Sequence, residues 1–207
     1  MPYDLLKSEH LTAGHLKQIV SEKRIKHRLQ SGLSDREVHL IGKIIVEWGA
    51  IEYEVFNQTL LTFDGVDDEQ TALPSAMNNL QLTKLLDLWK ERVVEKSQGE
   101  RSLVLQLQLD EILGLKPFRD AIVHGVWTWS PSNLAAISTV RVRKKQILTT
   151  KFTVDDLEDF DSRLASINFK IRYPGGLEDL ASERAESGVY FSREFLNMMH
   201  GSKEPDA

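Results

Sequence analysis

The stretch SDREVHLIGKIIVEWGAIEYEVF, residues 34–56, decides the fold of this chain. Ser34 precedes Glu37 by three residues, which is the spacing of a capping box at the start of a helix. Apolar side chains then recur every three or four residues, which predicts an amphipathic helix over residues 35–63. Its predicted buried stripe comprises Val38, Ile41, Ile45, Trp48 and Val55, flanked by Ile44, Ile51 and Phe56.

Glu52 falls on this predicted stripe, because positions 41, 45, 48, 52 and 55 follow one face of a helix. A buried carboxylate is costly unless it is paired or hydrogen-bonded. We therefore expect Glu52 to have a cationic partner from elsewhere in the chain.

Three further helices are predicted before residue 125. They cover about residues 75–96, 100–113 and 117–124. Gly114 and Pro117 separate the last two, because glycine suits the position after a helix and proline suits the first turn of a new one. Four helices joined by modest loops predict an antiparallel bundle.

After Gly125 the pattern changes to two β-branched runs, LAAISTVRVR and QILTTKFTV, on either side of a pair of lysines. These runs predict a β-hairpin with Lys144 and Lys145 at its turn. The alternation of the first run places Arg141 and Arg143 on one face of the hairpin.

The expected fold class is mainly α, with a four-helix bundle in residues 36–128 and a β-hairpin plus C-terminal helices in residues 129–200 packed on it. The first C-terminal helix is expected to be capped by Thr153 and the last to cover about residues 177–199. Residues 1–35 are predicted as a basic helical arm that contains KRIKHR, and residues 201–207 as a disordered tail.

The composition is that of a globular protein, with 41% hydrophobic residues, 28% charged residues and a net charge of −5. No apolar run approaches the ~20 residues that span a bilayer, and the N-terminus lacks the pattern of a signal peptide. The chain contains no cysteine, which excludes thiolate catalysis and cysteine-ligated zinc and fits a reducing compartment. We therefore expect a cytoplasmic protein without a membrane partner.

Most catalytic signatures are missing from the sequence. The six histidines are dispersed, and none forms a His-x-x-x-His or Glu-x-x-His pair on a predicted helix. Neither a glycine-rich phosphate loop nor a Gly-x-Ser-x-Gly elbow occurs. No metal and no other cofactor is therefore expected, and the search narrows to FRDAIVHG, residues 118–125.

Arg119 and His124 are the candidate catalytic residues of this segment. Five residues along an α-helix correspond to a rotation of ~140°, so the two side chains do not share one face. To act on one phosphate they need a distorted helix end or a second copy brought by a two-fold axis. The arginine fork suits phosphate oxygens, and histidine is the side chain that most often transfers protons in catalysis.

These two groups suit the cleavage of RNA by its own 2′-OH, a route that DNA lacks. That reaction needs a base, an acid and a cation that stabilises the phosphorane. A structural interpretation stays open beside this one. In it, His124 only ends a helix and Arg119 only neutralises Glu52, so that the chain is a helical adaptor.

The segment RDAIVHG, residues 119–125, resembles the signature of HEPN domains (higher eukaryotes and prokaryotes nucleotide-binding), which has an arginine, a polar residue, a short gap and a histidine. The upstream segment EWGAIEYEVF, residues 47–56, is similar to the Trp and inward-Glu pattern of many HEPN proteins. The resemblance covers roughly residues 36–128. It implies a helical bundle that dimerises through the motif-bearing helix, so that both Arg–His pairs line one cleft.

Active HEPN members are metal-independent ribonucleases of toxin–antitoxin, abortive-infection and other antiviral systems, whereas some HEPN domains are inactive scaffolds. The resemblance implies that Arg119 and His124 are the catalytic pair, with Asp120 and Glu52 in support. It also implies a homodimer, single-stranded RNA as the substrate and an antitoxin protein as a further partner. The alternative is a non-catalytic HEPN-like module that binds a nucleotide or a partner protein.

Contacts to the RNA backbone are expected from the basic hairpin and from the KRIKHR arm. The hairpin residues concerned are Arg141, Arg143, Lys144 and Lys145.

Overall fold

A computed structural model describes residues 5–6, 32–63 and 72–187 of the chain. The predicted N-terminal arm falls almost entirely outside the described residues, and so does the predicted tail. The part of the last predicted helix beyond residue 187 also lies outside them.

The described residues are mainly helical and carry one antiparallel sheet, which confirms the fold class at that level. In chain order the elements are β1 (Leu5–Leu6), α1 (Asp35–Leu60), α2 (Leu82–Trp89), α3 (Gly99–His124), β2 (Val126–Ser130), β3 (Asn133–Arg143), β4 (Gln146–Thr153), α4 (Val154–Arg172) and α5 (Leu177–Glu186). A 3-10 turn, Ser75–Met77, precedes α2, and a π-helical segment, Lys90–Val94, follows it. Within the described ranges, none of the helices combines the length and apolar character needed to cross a membrane.

Two helices begin with the predicted caps. The Ser34 hydroxyl accepts a hydrogen bond from the backbone of Glu37, and the Glu37 carboxylate accepts one from the backbone of Ser34 at 2.6 Å. Thr153 forms the same reciprocal box with Asp156 at the start of α4. These caps satisfy backbone donors that a helix start otherwise leaves unpaired.

The buried face of α1 differs from the predicted stripe. It consists of Leu40, Ile44, Trp48, Ile51, Val55 and Thr59. Val38 and Ile45, which the sequence places inside, are 51% and 47% exposed. The buried face is thus rotated by about 60° from the predicted one. The error arises because apolar residues cover more than half of the circumference of α1, so their spacing alone does not locate the centre of the buried face.

Helix α4 packs along α1 and shares its core. Trp48 of α1 stacks on Phe160 of α4 with ring centroids 6.5 Å apart. Lys43 donates to the carboxylate of Asp161 at 2.6 Å, which ties the outer edges of the two helices together. The hydrophobic core therefore extends across residue 128, the predicted end of the bundle.

Helix α3 is continuous, so the predicted break between Gly114 and Pro117 is wrong. A proline inside a helix costs about 3 kcal/mol, because it lacks one donor and its ring crowds the preceding turn. Buried side chains lie on both sides of Pro117, namely Ile112, Leu115, Phe118, Ala121 and Ile122. Each large apolar side chain that is buried contributes roughly 1.5–3 kcal/mol, so packing holds the helix together through the proline.

The predicted hairpin is present and is part of a larger sheet with strand order β1-β4-β3-β2. Strands β3 and β4 pair with Arg143 opposite Gln146. The two turn residues, Lys144 and Lys145, have φ angles of 48° and 65°. Positive φ at both central residues is the conformation of a type I′ turn, which suits the twist of a two-residue hairpin.

Gly125 connects α3 to β2 where the helix passes close to the sheet. A Cβ atom on Gly125 would lie 2.4 Å from the Ala121 carbonyl oxygen and 2.5 Å from Cβ of Thr139. Both neighbours belong to regular elements and cannot move away at low cost. The glycine that follows His124 is therefore required by the fold.

We predict that Gly125→Ala lowers the free energy of unfolding by about 1–3 kcal/mol, because the added methyl group overpacks this junction. Gly114→Ala is the matched control, since a Cβ there meets no atom within 4 Å. Within α3 it should raise the free energy of unfolding by about 0.5–1 kcal/mol. Chemical denaturation measures both, and equal effects of the two substitutions would contradict the close approach at Gly125.

Candidate active site

The centre of the candidate site is a contact between Arg119 of α3 and Glu52 of α1. Arg119 donates from Nη2 to Oε1 of Glu52 at 3.0 Å, so the expected cationic partner of Glu52 is Arg119. The same oxygen accepts a hydrogen bond from the indole Nε1 of Trp48 at 2.7 Å. Cζ of Arg119 also lies 5.9 Å from the centroid of the Trp48 ring, within the range of a cation–π contact.

This contact lies at the surface rather than in the core. The side chains of Arg119 and Glu52 are 21% and 34% exposed. The rotation of α1 explains the exposure, because it moves Glu52 from the centre of the buried face to its edge. The pair is therefore restrained by Trp48 on its inner side and open to solvent on its outer side.

The carboxylate of Asp120 lies close to three cationic side chains next to this pair. It lies 3.1 Å from Nζ of Lys116, 3.5 Å from Nη1 of Arg119 and 3.9 Å from Nη1 of Arg141. An acid next to a phosphate site is repulsive unless it is itself paired, and Asp120 is paired in this way. Together with Glu52, the cluster holds three cationic side chains and two carboxylates.

Arg141 lies inside the cluster and not at the exposed end of the hairpin. Its side chain is 11% exposed, and its Nη2 donates to the carbonyl oxygen of Pro117 at 3.4 Å. Burial lowers the pKa of Arg141 from its ordinary value, and the charge of Asp120 opposes that shift. The RNA contact expected from Arg141 stays a prediction, and the structure adds Asp120 as its partner within the chain.

Both arginines keep an unmet hydrogen-bond donor. Nε of Arg119 and Nε of Arg141 are buried and have no acceptor among the described residues, and the hydroxyl of Thr139 is also without a partner there. Buried polar atoms are rarely left unpaired in folded proteins. The contacts within the cluster therefore do not use all the donors of the two arginines.

His124 ends α3 and is exposed to solvent. Within the described residues, no hydrogen bond or ion pair engages its imidazole. Because α3 stays helical as far as His124, the rotation of ~140° from Arg119 is kept, and no distorted helix end brings the two side chains together. One copy of the chain thus holds Arg119 against α1 and presents His124 to solvent.

The other predicted RNA contacts lie at the tip of the hairpin. Arg143, Lys144 and Lys145 are exposed there, at the turn between β3 and β4. They form a basic tip that is distinct from the cluster around Asp120.

Sequence reasoning did not assign Trp48 and Lys116 to the site. The signal was available for both, because Trp48 precedes Glu52 and Lys116 precedes Asp120 by four residues, the spacing at which helical side chains meet. The contact between Arg141 and Asp120 has no such signal, because it depends on how the sheet docks on α3.

No metal cluster marks this site within the described residues, and the cavity described next lies elsewhere. Within residues 32–63 and 72–187, no three His, Asp or Glu side chains are grouped so that they could hold an ion. A cavity of 680 Å³ lies between the start of α1 and the sheet, lined in part by Gly32, Leu33, Trp129 and Leu134. None of its lining residues belongs to the cluster around Asp120.

A double-mutant cycle measures the contact between the two helices. We predict that Glu52→Gln and Arg119→Gln each lower the free energy of unfolding by about 1–3 kcal/mol, because each removes the charged hydrogen bond between α1 and α3. The double variant should be less destabilised than the sum of the two, with a coupling of about 0.5–3 kcal/mol.

The matched control for this cycle is Arg143→Gln, which removes an exposed arginine at the hairpin tip. Its effect should stay within about 0.5 kcal/mol. The assigned contact would be refuted if Arg119→Gln were as neutral as this control.

Comparisons with known proteins do not place the chain in a family. No protein-family model, no curated protein and no solved structure matches it. The resemblance to HEPN domains therefore rests on RDAIVHG and its helical setting.

Proposed function

We propose that the protein is a metal-independent endoribonuclease of the HEPN type, which cleaves single-stranded RNA at a site shared by two copies of the chain. The observation that carries the proposal is the contrast between the two motif residues. Arg119 is restrained by Glu52 and Asp120, whereas His124 is exposed at the end of the same helix. Metal-independent RNA cleavage requires a fixed cation and a proton-transfer group at the same phosphate, and two copies of the chain could supply them together.

The reaction proceeds by attack of the ribose 2′-oxygen on the adjacent phosphorus. A bond forms between O2′ and phosphorus, and the bond from phosphorus to O5′ breaks. A base takes the proton of the 2′-OH, and an acid delivers a proton to the leaving O5′. His124 supplies one of these proton transfers, and Arg119 stabilises the charge on the phosphorane.

The position of Arg119 suits this role. Glu52 and Trp48 fix one edge of its guanidinium, so little further ordering is needed when a phosphate binds. Its 21% exposure leaves the cluster accessible from solvent. Glu52 is therefore a positioning residue, and Asp120 limits the repulsion between Arg119 and Arg141.

A second copy of the chain completes the proposed site. Since Arg119 and His124 lie on different sides of α3, a two-fold axis has to bring His124 of one copy to Arg119 of the other. The HEPN-like core of each copy would be formed by α1, α2, α3 and α4. The resemblance extends the proposal to a toxin or antiviral-defence role in the cytoplasm, with an antitoxin as regulating partner.

A non-catalytic role is the second candidate, and one observation favours it. Both Nη atoms of Arg119 already contact carboxylates, as expected for an arginine that only joins helices. In that case the chain binds a nucleotide or a partner protein, or acts as a helical adaptor.

The decisive variant is His124→Ala. We expect it to lower the rate of cleavage of single-stranded RNA in EDTA by about 100-fold or more, the size of a lost general acid or base. Its free energy of unfolding should change by less than about 0.5 kcal/mol, because the side chain is exposed. His39→Ala, which removes another exposed histidine on α1, is the control and should cleave normally.

Two outcomes would refute ribonuclease activity. One is that the wild-type protein leaves varied RNA substrates uncut in EDTA. The other is that a substrate with a 2′-deoxy sugar at the cleaved position is cut as fast as RNA, since that substrate lacks the nucleophile. Binding of RNA or nucleotide that survives His124→Ala without any cleavage would favour the non-catalytic candidate.

The predicted RNA contact at the hairpin tip is tested with two substitutions that remove its lysine charges and keep its turn. Lys144→Asn with Lys145→Gly removes both charges, and Asn-Gly is the preferred sequence for a type I′ turn. We expect weaker RNA binding and a salt dependence whose slope falls by about 1.4, the value for two contacts to single-stranded phosphates. Fluorescence anisotropy over a salt series measures this.

The control for the hairpin pair is Lys84→Ala with Lys96→Ala, which removes two exposed lysines elsewhere. If the control weakens RNA binding as much as the hairpin pair does, the hairpin tip is not a specific contact.

A further inference from the structure

The cavity between the start of α1 and the sheet lies apart from the cluster around Asp120. Its volume is 680 Å³, within the range of pockets that hold small ligands. Apolar side chains form much of its wall, among them Ile137 of β3, which is 3% exposed, and Val154 at the start of α4. Trp129 of β2 and Leu134 of β3 also line it and are 47% and 78% exposed. The cavity is therefore an apolar recess with an aromatic wall that solvent can reach.

The indole of Trp129 fits closely against the chain at Gly32. A Cβ on Gly32 would lie 2.2 Å from Nε1 and 2.3 Å from Cδ1 of Trp129. The φ angle of Gly32 is 68°, which side chains other than glycine rarely adopt. The absence of a side chain at position 32 thus lets one edge of the indole rest on the backbone. A ring whose edge is held in this way needs little further ordering when a second ring stacks on it.

Glu37 supplies a charged hydrogen-bond acceptor to the same cavity. Its Oε2 accepts from the backbone nitrogen of Ser34 at 2.6 Å and from the Ser34 hydroxyl at 2.8 Å. Its Oε1 has no partner within the described residues, and no cation of those residues pairs with it. This carboxylate repels a phosphate and favours a ligand that offers hydrogen-bond donors.

An aromatic wall, an apolar recess and a free acceptor are together suited to an unpaired nucleobase. Bases of single-stranded RNA stack on aromatic side chains and are distinguished by hydrogen bonds along their edges. Guanine suits Glu37 best, because its Watson–Crick edge presents the N1–H and N2–H donors side by side. Uracil suits it poorly, because carbonyl oxygens flank the one N–H donor of that edge. Adenine presents an unprotonated ring nitrogen there, which a carboxylate repels.

We propose that this cavity, the Trp129 pocket, binds a guanine base of the RNA strand. The ring stacks on Trp129, and its N1–H and N2–H groups donate to Oε1 of Glu37. The inference rests on the proposed function for the source of the base. It concerns a separate surface, because none of the lining residues belongs to the cluster around Asp120. Trp129 and Glu37 are thus specificity-determining residues and not catalytic ones.

The Trp129 pocket follows the motif closely along the chain. Strand β2 begins two residues after His124, and Trp129 lies four residues beyond Gly125. At about 3.4 Å per residue, the extended strand covers about 14 Å between these two positions. The basic residues of the protein then contact phosphates, and the Trp129 pocket contacts a base. This division separates the contacts that position a nucleic acid from those that read its sequence.

The first test uses guanosine, because this nucleoside has no phosphate and therefore reports on the pocket alone. Isothermal titration calorimetry should show that the wild-type protein binds guanosine about 10-fold or more tighter than uridine. Inosine, which lacks the N2 amino group, should bind more weakly than guanosine. Trp129→Ala should weaken guanosine binding by about 10-fold or more, because it removes the stacking surface. Tyr53→Ala, which removes another exposed aromatic side chain outside the cavity, is the control and should bind as the wild type does.

Glu37→Gln tests the acceptor without removing the helix cap, because a capping box is formed by Glu or Gln. The substitution replaces the free oxygen with an amide donor and should weaken guanosine binding by about 10-fold or more. Asp35→Asn is the matched control, since it removes one negative charge from the same helix start but does not line the cavity. Ala135→Trp is a further variant. Ala135 lines the cavity and is exposed, so a large side chain there should fill the pocket and abolish binding.

The second test measures cleavage of a short RNA that contains one guanosine. Replacing that guanosine by uridine should raise KM by about 10-fold with little change in kcat, because the pocket binds a base that does not react. Trp129→Ala should remove the difference between the two substrates. A residue that only stabilises the fold would affect both substrates equally.

Two kinds of result would overturn the inference. One is a wild-type protein that binds guanosine no tighter than uridine. The other is wild-type affinity for guanosine in Trp129→Ala, Glu37→Gln or Ala135→Trp.

The ribonuclease proposal is judged separately from the pocket. If guanosine binds and Trp129→Ala abolishes the binding while RNA stays uncut in EDTA, the ribonuclease proposal fails and the pocket stands. If RNA is cut without base preference by a protein that does not bind guanosine, the pocket fails and the ribonuclease proposal stands.

Discussion

The hydrogen bond from Arg119 to Glu52 holds the motif arginine against α1. It joins the two longest helices, α1 and α3, at the edge of the core. Glu52 is itself fixed by the buried indole of Trp48, which stacks on α4 through Phe160. The orientation of Arg119 is thus set by three helices, and a shift of any one of them would move the cation that the proposed chemistry needs.

The two apolar faces of α1 explain why this contact lies at the surface. The helix turns its buried side chains, among them Ile44, Trp48 and Val55, into the core and leaves Ile45, Val46 and Tyr53 exposed on its outer face. Glu52 lies between the two faces, where its carboxylate can reach Arg119 and still contact water. The same rotation therefore places the cation at an accessible edge of the core.

Local chemistry made much of this structure predictable. The capping boxes of Ser34 and Thr153, the hairpin turn and the need of Glu52 for a cation all follow from neighbouring residues. The two predictions that were wrong depend on packing between distant residues. The buried face of α1 was misplaced because apolar residues cover more than half of its circumference. Helix α3 continues through Pro117 because core side chains on both sides of the proline hold it together. The place of Arg141 beside Asp120 required the docking of the sheet.

The charges of the cluster also bear on whether it is only structural. A cluster that serves stability alone is best balanced, since each excess buried charge costs free energy. Here Lys116, Arg119 and Arg141 face Glu52 and Asp120, so one positive charge is left over, and both arginines keep a buried donor without an acceptor. A single phosphate would neutralise the excess. Glu52 and Asp120 together reduce three cations to the charge that one phosphodiester balances, so the acid next to the motif arginine is consistent with an RNA site.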